Sequence, residues 1–234
     1  MRLFLTAAFL FIGFLVFGQG FNKRYDAFGN GFYQQAFNIE RVDSGYVIIG
    51  GTEDYDTIAP GSYYFHASVL LTWIDEMGVK RGEKKAWRDL HNTTVGWSNC
   101  CDTIPGGGYV VGGASEDSLG NDEVYLMRFD TLGDTLWTKV FGDANLNFYY
   151  IGRQVKQTND GGFLIVGDTD QNGPVRGFAL KTNSNGMEQW RRFYDWGSSW
   201  NDALISCANI SERDLIMAGT RNFSFTNHCR PEQS

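Results

Sequence analysis

Four stretches of the chain repeat one order of polar and apolar positions. A turn residue is followed by an aromatic residue or leucine, three mostly apolar positions and a glycine. The stretches are Gly45-Tyr-Val-Ile-Ile-Gly, Gly108-Tyr-Val-Val-Gly-Gly, Gly162-Phe-Leu-Ile-Val-Gly and Asp214-Leu-Ile-Met-Ala-Gly. Their closing glycines, Gly50, Gly113, Gly167 and Gly219, recur at spacings of 63, 54 and 52 residues. In the third copy Phe163, Leu164, Ile165 and Val166 are apolar without alternation, which predicts an inner strand covered on both faces. A closing glycine in such a strand marks close approach of another backbone. Around it the pattern predicts strands over 148–157, 163–168, 177–182 and 187–193, joined by turn sequences such as Asn159-Asp-Gly-Gly162.

Two more markers keep the same period. A turn ending in glycine follows each of the first three stretches: Asp75-Glu-Met-Gly78, Asp130-Thr-Leu-Gly133 and Asn183-Ser-Asn-Gly186. Trp137 and Trp190 stand four residues after the last two of these glycines, whereas Trp87 stands nine after Gly78. The longer spacing predicts an extended hairpin over Arg81 to Lys85. A module of fifty-odd residues with four strands is the size of a propeller blade. The predicted fold is therefore all-β, a partial β-propeller of about three and a half four-stranded antiparallel blades. The tryptophans and glycines are expected to serve packing between blades, since one such unit cannot bury its faces alone.

Thr158-Asn-Asp-Gly-Gly-Phe-Leu-Ile-Val-Gly, then Phe178-Ala-Leu-Lys-Thr-Asn-Ser-Asn-Gly and Trp190, resembles the repeat of secreted propeller-like proteins common in Bacteroidetes. The resemblance runs from Phe28 to about Thr220. It implies export and an extracellular or cell-surface location, and many chains of that family end in a type IX secretion sorting domain. It says little about activity, because propellers host unrelated ones. Phe28-Gly29 falls in phase with Phe141-Gly142, and the fourth unit stops half way, so a truncated propeller is the expectation for this chain.

Residues 1–20 are set apart. Arg2 precedes an apolar run from Leu3 to Phe17, and Gly18-Gln-Gly20 offers a small-x-small cleavage site, the pattern of a signal peptide. The apolar run is shorter than a membrane span requires. The expected division is 1–20 signal peptide, 21–220 repeat domain and 221–234 non-repeat tail. With 29 glycines, 4 prolines, 18 Phe, 11 Tyr and 7 Trp, composition also favours turns and pleated surfaces. The net charge of −7 becomes −8 once Arg2 leaves, so no footprint for a phosphate backbone exists and nucleic acid is not an expected partner. Lys84-Lys85 and Arg191-Arg192 are expected as solvated strand ends.

Candidate chemistry is sparse, and no catalytic, cofactor-binding or metal residue is assigned. Asp168-Thr-Asp170-Gln-Asn172-Gly opens like a calcium loop, but its ninth and twelfth positions are Arg176 and Ala179. His66, His91 and His228 occupy different repeat phases, and Ser98 has no recognisable base. Cys100, Cys101, Cys207 and Cys229 are compatible with Cys101–Cys207 or Cys100–Cys229 bridges or with free buried thiols. Asp54, Asp56, Glu116, Asp117, Asp122 and Glu123 are expected in loops between second and third strands, where paired carboxylates could act on a sugar beside Tyr55, Tyr63, Tyr64 and Phe65. The long segment Glu53–Phe65 is the first place expected to carry function. The leading expectation is an exported, non-catalytic module that binds a glycan or a cell-surface protein. The alternatives are a polysaccharide-active enzyme and a fragment without activity of its own.

Overall fold

The structure, a computed structural model, describes residues 25, 33–88, 92–96, 100–116, 120, 122–142, 149–170, 174–195, 202–211 and 214–221. It is all-β, without helices among those residues. Unit one contains β1 (Gln34–Val42), β2 (Gly45–Ala59), β3 (Ser62–Ile74) and β4 (Lys80–Ala86), hydrogen-bonded in that order. Unit two splits its first strand into β5 (Thr93–Val95) and β6 (Cys101–Thr103), both beside β7 (Tyr109–Glu116), then β8 (Asp122–Phe129) and β9 (Thr135–Phe141). Unit three contains β10 (Tyr150–Gln157), β11 (Phe163–Thr169), β12 (Arg176–Thr182) and β13 (Glu188–Tyr194), within a residue or two of the predicted strands. Unit four contributes β14 (Asp202–Asn209) and β15 (Leu215–Arg221). Every pairing is antiparallel.

The recurrent glycine has one physical cause in all four units. Each lies on the second strand opposite a bulge in the first, at Phe37, Arg153 and Ile205 in units one, three and four. In unit two the bulge has grown into the excursion between Val95 and Cys101. The bulge pushes a carbonyl toward the glycine: Gln35 at Gly50, Thr94 at Gly113, Ile151 at Gly167 and Ala203 at Gly219. A Cβ at any of the four would overlap that oxygen. Bulges increase local twist, and the glycine is what lets the neighbouring strand follow.

The three hairpins between third and fourth strands are copies of one another. Asp75, Asp130 and Asn183 each accept two backbone N–H bonds through Oδ1 at 2.8–3.0 Å, and Gly78, Gly133 and Gly186 adopt φ of 69°, 80° and 73°. A register shift follows in every case, the glycine bulge expected of this turn. Trp87 does not mark a longer hairpin. Strand β4 starts two residues after Gly78, as β9 and β13 do after their glycines. The position matching Trp137 and Trp190 is Gly82, and its cross-strand partner is Trp73. Cross-strand partners share a face, so either strand can supply the indole to the same space, and Gly82 leaves room for it. Trp87 instead stacks on His66 at 5.5 Å, with the Lys85 ammonium over it.

These markers meet at the joints between units. Trp73 of unit one reaches Tyr109 of unit two, its indole N–H donating to the Tyr109 hydroxyl (3.3 Å), and touches the hairpin glycine Gly133. Trp137 of unit two stands edge-on to Phe163 of unit three at 5.8 Å, and its ring would lie 2.8–2.9 Å from a Cβ on Gly186. Trp190 of unit three packs against the cluster that Leu164, Val166 and Ala179 form with Leu204 and Cys207 of unit four. The buried side chains correspondingly form three clusters in series. Val47, Val69 and Leu71 meet Val111, Tyr125 and Met127; Val110 and Leu126 meet Ile165, Phe178 and Leu180; Leu164, Val166 and Ala179 meet Leu204 and Cys207. The apolar core therefore lies between sheets, as in arrays whose units stabilise only their neighbours. Strand β11, with a unit on each side, is buried throughout, whereas Ile216 on β15 is 54 % exposed.

Lys84 and Arg191 are not solvated strand ends. Lys84 pairs with Asp134 of unit two, and Arg191, on the middle of β13, holds Glu188 at 2.8 Å and lies over the Tyr150 ring. A third cation, Lys181, reaches back into the turn between β10 and β11. It binds both oxygens of Asp160 (3.0 and 2.9 Å) and the Thr182 carbonyl (2.7 Å). Partial burial alone would raise the Asp160 carboxyl. The Thr158 hydroxyl, the Lys181 ammonium and the Gly162 amide outweigh it and bring it down to about 2 from 3.8. A carboxyl lower in the folded chain than in the unfolded one stabilises above the unfolded value, and that contribution drains away as pH falls through the folded one. Because Asp160 is half exposed, solvent screening keeps the effect small. In thermal melts Asp160→Asn is expected to lower Tm by a constant amount above about pH 5 and to converge on the parent near pH 2. Parallel curves down to pH 2 would show that the pair does not carry the acid dependence.

Candidate functional site

Segment 53–65 is not a loop. Strands β2 and β3 run on beyond the sheet as a two-stranded ribbon, paired from Glu53 with Ala67 to Ala59 with Ser62 and turned at Pro60-Gly61, where Gly61 has φ 78°. Alternating Tyr, Thr and Ile favour strand over loop, and the first and fourth strands stop short of them. The last flanking pairs are Gln34 with Thr52 and Val69 with Ala86. Asp54 and Asp56 fall opposite His66 and Tyr64, and Tyr55 falls opposite Phe65. Tyr55 is half exposed, and His66 is buried.

The unit-two acids stand at strand ends, and two of them are engaged in stitching. Glu116, last on β7, pairs by register with Asp122, first on β8. Asn92 joins the two units at this point: its carbonyl oxygen accepts from the Ala67 amide (3.1 Å), and its amide donates to Glu116 Oε2 (2.6 Å). Arg88 donates to Ser115 Oγ (2.9 Å) and Glu123 Oε2 (3.2 Å). Glu123 is thus tied to Arg88 in an ion pair at the base of unit two's second hairpin. Asp117 lies outside the described residues.

At the opening of the calcium-like motif a guanidinium occupies the cation's place. Asp168 is fully buried and ion-paired with Arg153, and it accepts from the Tyr149 hydroxyl at 3.3 Å. The bulge residue of β10 is Arg153 itself, so the distortion that requires Gly167 also turns this arginine to the carboxylate. Asp170 accepts from the Tyr149 amide (2.8 Å). Burial, then the charges of Asp168 and Asp170, push the Tyr149 phenol well up, which removes it as a base near neutrality. Asn172 lies outside the described residues, and among those described no three His, Cys, Asp or Glu side chains gather as a metal site.

Sequence reasoning missed a polar seam where the first strands of successive units adjoin. Asn38 on β1 donates to Glu40 and to Cys101 Sγ of β6, each at 2.8 Å. Lys156 on β10 donates to Asp102 Oδ1 (2.8 Å), while the Gln157 amide donates to Asp102 Oδ2 (2.9 Å). Gln154 accepts from the Cys207 amide (2.5 Å), and Asn209 donates to the Gln157 carbonyl (2.9 Å). Burial by itself would lower the Lys156 ammonium, but the Asp102 hydrogen bond and the charges of Asp102 and Glu40 raise it instead. Cys100, Cys101 and Cys207 are free thiols, so the Cys101–Cys207 bridge is not made, and Cys229 lies outside the described residues. Burial pushes Cys101 and Cys207 up to about 12 and Cys100 well up too, which leaves no thiolate nucleophile among them near neutral pH. His91, His228 and Ser98 lie outside the described residues.

No protein-family model matches the sequence, and neither does any curated protein.

Proposed function

We propose that the chain is an exported, non-catalytic binding module, built as part of a β-propeller, whose ligand is taken by the ribbon at the end where second and third strands join. Three points support the propeller reading: four-stranded antiparallel units, first strands that adjoin, and clusters that link each unit only to the next. The observation that carries the binding reading is the ribbon. Trp73 and Trp137 serve joints, the recurrent glycines serve bulges and turns, and the Lys84–Asp134 pair and the seam link units, whereas residues 54–65 extend past the sheet as a ribbon that neither β1 nor β4 flanks.

If the ribbon is surplus to folding, replacing Tyr55–Phe65 by Asn-Gly should leave the melt nearly unchanged. The new hairpin would close Asp54 against His66 with a two-residue turn suited to strand twist. The expected result is a cooperative melt within about 3 °C of the parent, together with loss of whatever ligand the parent retains on glycan and peptide arrays. A variant that fails to fold would assign the ribbon to architecture. Release of reducing sugar from polysaccharide by the parent, abolished in Asp54→Asn or Glu116→Gln, would establish the enzymatic reading instead.

A further inference from the structure

We infer that Tyr25 straps the start of the exported chain to unit one's hairpin and thereby holds whatever lies upstream of it at the end of the sheet opposite the ribbon; what this does for display rests on the export and binding readings above. The Tyr25 hydroxyl donates to the Gly78 carbonyl at 2.8 Å, across 53 residues of chain. Gly78 is unit one's copy of the hairpin glycines that Trp73 meets in unit two and Trp137 in unit three. Each later hairpin is thus met by an aromatic residue of the unit before it, and the first hairpin is met by one from upstream. Burial, then the Asp75 carboxylate, push the Tyr25 phenol up, so the hydroxyl keeps its proton for this bond. The receiving turn is firm. Asp75 accepts from the Met77 and Val79 amides, pairs with Arg81, and its carbonyl takes the Gly78 amide (2.9 Å).

Lengths decide what the strap does. The cleavage point expected after Gly20 lies five residues before Tyr25, a reach of at most about 18 Å. The ribbon's turn at Pro60-Gly61 and the hairpin that begins at Asp75 stand at opposite ends of β3, whose 13 residues span roughly 40 Å. With Tyr25 docked, a signal still seated in a membrane therefore draws the hairpin end to the bilayer. The ribbon is left at the far end, on the side from which a ligand arrives.

The test uses the chain from Phe21 onward with Gly-Ser-His placed before it, a tripeptide whose free amine and imidazole chelate Cu(II), and follows amide signals by NMR. Cu(II) is expected to broaden the amides of 76–79 and to leave those of Asp54 to Ala59 sharp. In Tyr25→Ala the broadening at 76–79 should fall about threefold or more, as the start of the chain leaves the hairpin. Tyr25→Phe, which keeps the ring, should raise hydrogen exchange at the Gly78 and Val79 amides about fivefold, the scale of one lost hydrogen bond. Gly133 and Asp134 should exchange at the parent rate in both variants, which shows that the array still folds. Broadened ribbon amides in the parent, or unchanged broadening and exchange in the two variants, overturn the inference. Neither readout uses a ligand, so failure of the binding reading on the arrays is scored apart from failure of the strap.

Discussion

Gly167→Ala is expected to cost at least about 3 kcal/mol, the high end of what overpacking alone produces. The added methyl would overlap the Ile151 carbonyl oxygen and sit 2.8 Å from Phe178 Cε1. Neither obstacle is the free end of a flexible side chain. The carbonyl belongs to the bulge that also aims Arg153 at Asp168, and Phe178 is fully buried between units two and three. Strand β10 would have to move away from β11, or the bulge would have to collapse and strand a buried carboxylate. For a domain near 200 residues the loss corresponds to a fall in Tm of roughly 6–12 °C. Gly51→Ala is the control: its nearest neighbours would be Phe37 Cε2 at 3.6 Å and the Ser68 carbonyl at 3.7 Å, ordinary contacts, and a change within about 0.5 kcal/mol is expected. Equal losses at the two sites in urea denaturation would show that the recurrent glycine is not set by the bulge.

Trp137→Ala is the second large effect, about 3–4 kcal/mol by the usual cost of deleting a packed indole. The ring touches both the aromatic opening of the next second strand and the next hairpin glycine. Its removal should loosen the joint between units two and three more than either sheet. Native-state hydrogen exchange should accordingly report faster opening on the facing strands β8 and β11 than on β2. A double-mutant cycle of Trp137 with Phe163 should return a coupling of about 0.5–1.5 kcal/mol, the range for aromatic pairs. Trp190→Ala should cost less, since the cluster it packs against is shared with a unit that contributes only two strands, and no hairpin glycine after them, among the described residues. Additive Trp137 and Phe163 effects would remove the joint from the account.

The repeat was legible because each marker answers to a local constraint. A glycine opposite a bulge, an Asx turn closed by a positive-φ glycine and an indole beside it leave a trace at fixed spacing. What escaped the sequence depends on which neighbour a side chain meets. Trp87 looked like the first unit's joint residue, but cross-strand partners are interchangeable on one face, and Trp73 with Gly82 fills that role. The acidic segment after Gly51 looked like a loop, since Pro60-Gly61 and three acids outweighed the alternation that extends β2 and β3. Asp168 opened a calcium-like motif to which no metal was assigned, and its actual partner, Arg153, fifteen residues earlier, is turned to it by a bulge whose position no propensity reveals. The seam through Asn38, Asp102 and Lys156 has no signature at all, because its residues come from three units and touch only after stacking.

The serial joint is the claim on which the rest stands, and proton NMR of the glycine Hα resonances examines it directly. An indole packed against Gly133 and another against Gly186 should move both pairs of Hα signals away from ordinary turn positions through the ring current, and Trp137→Phe should change the Gly186 pair while leaving Gly133 in place. Gly133 and Gly186 signals at ordinary turn positions in the parent chain would mean that the units do not meet through their tryptophans, and the stacked array would fall with them.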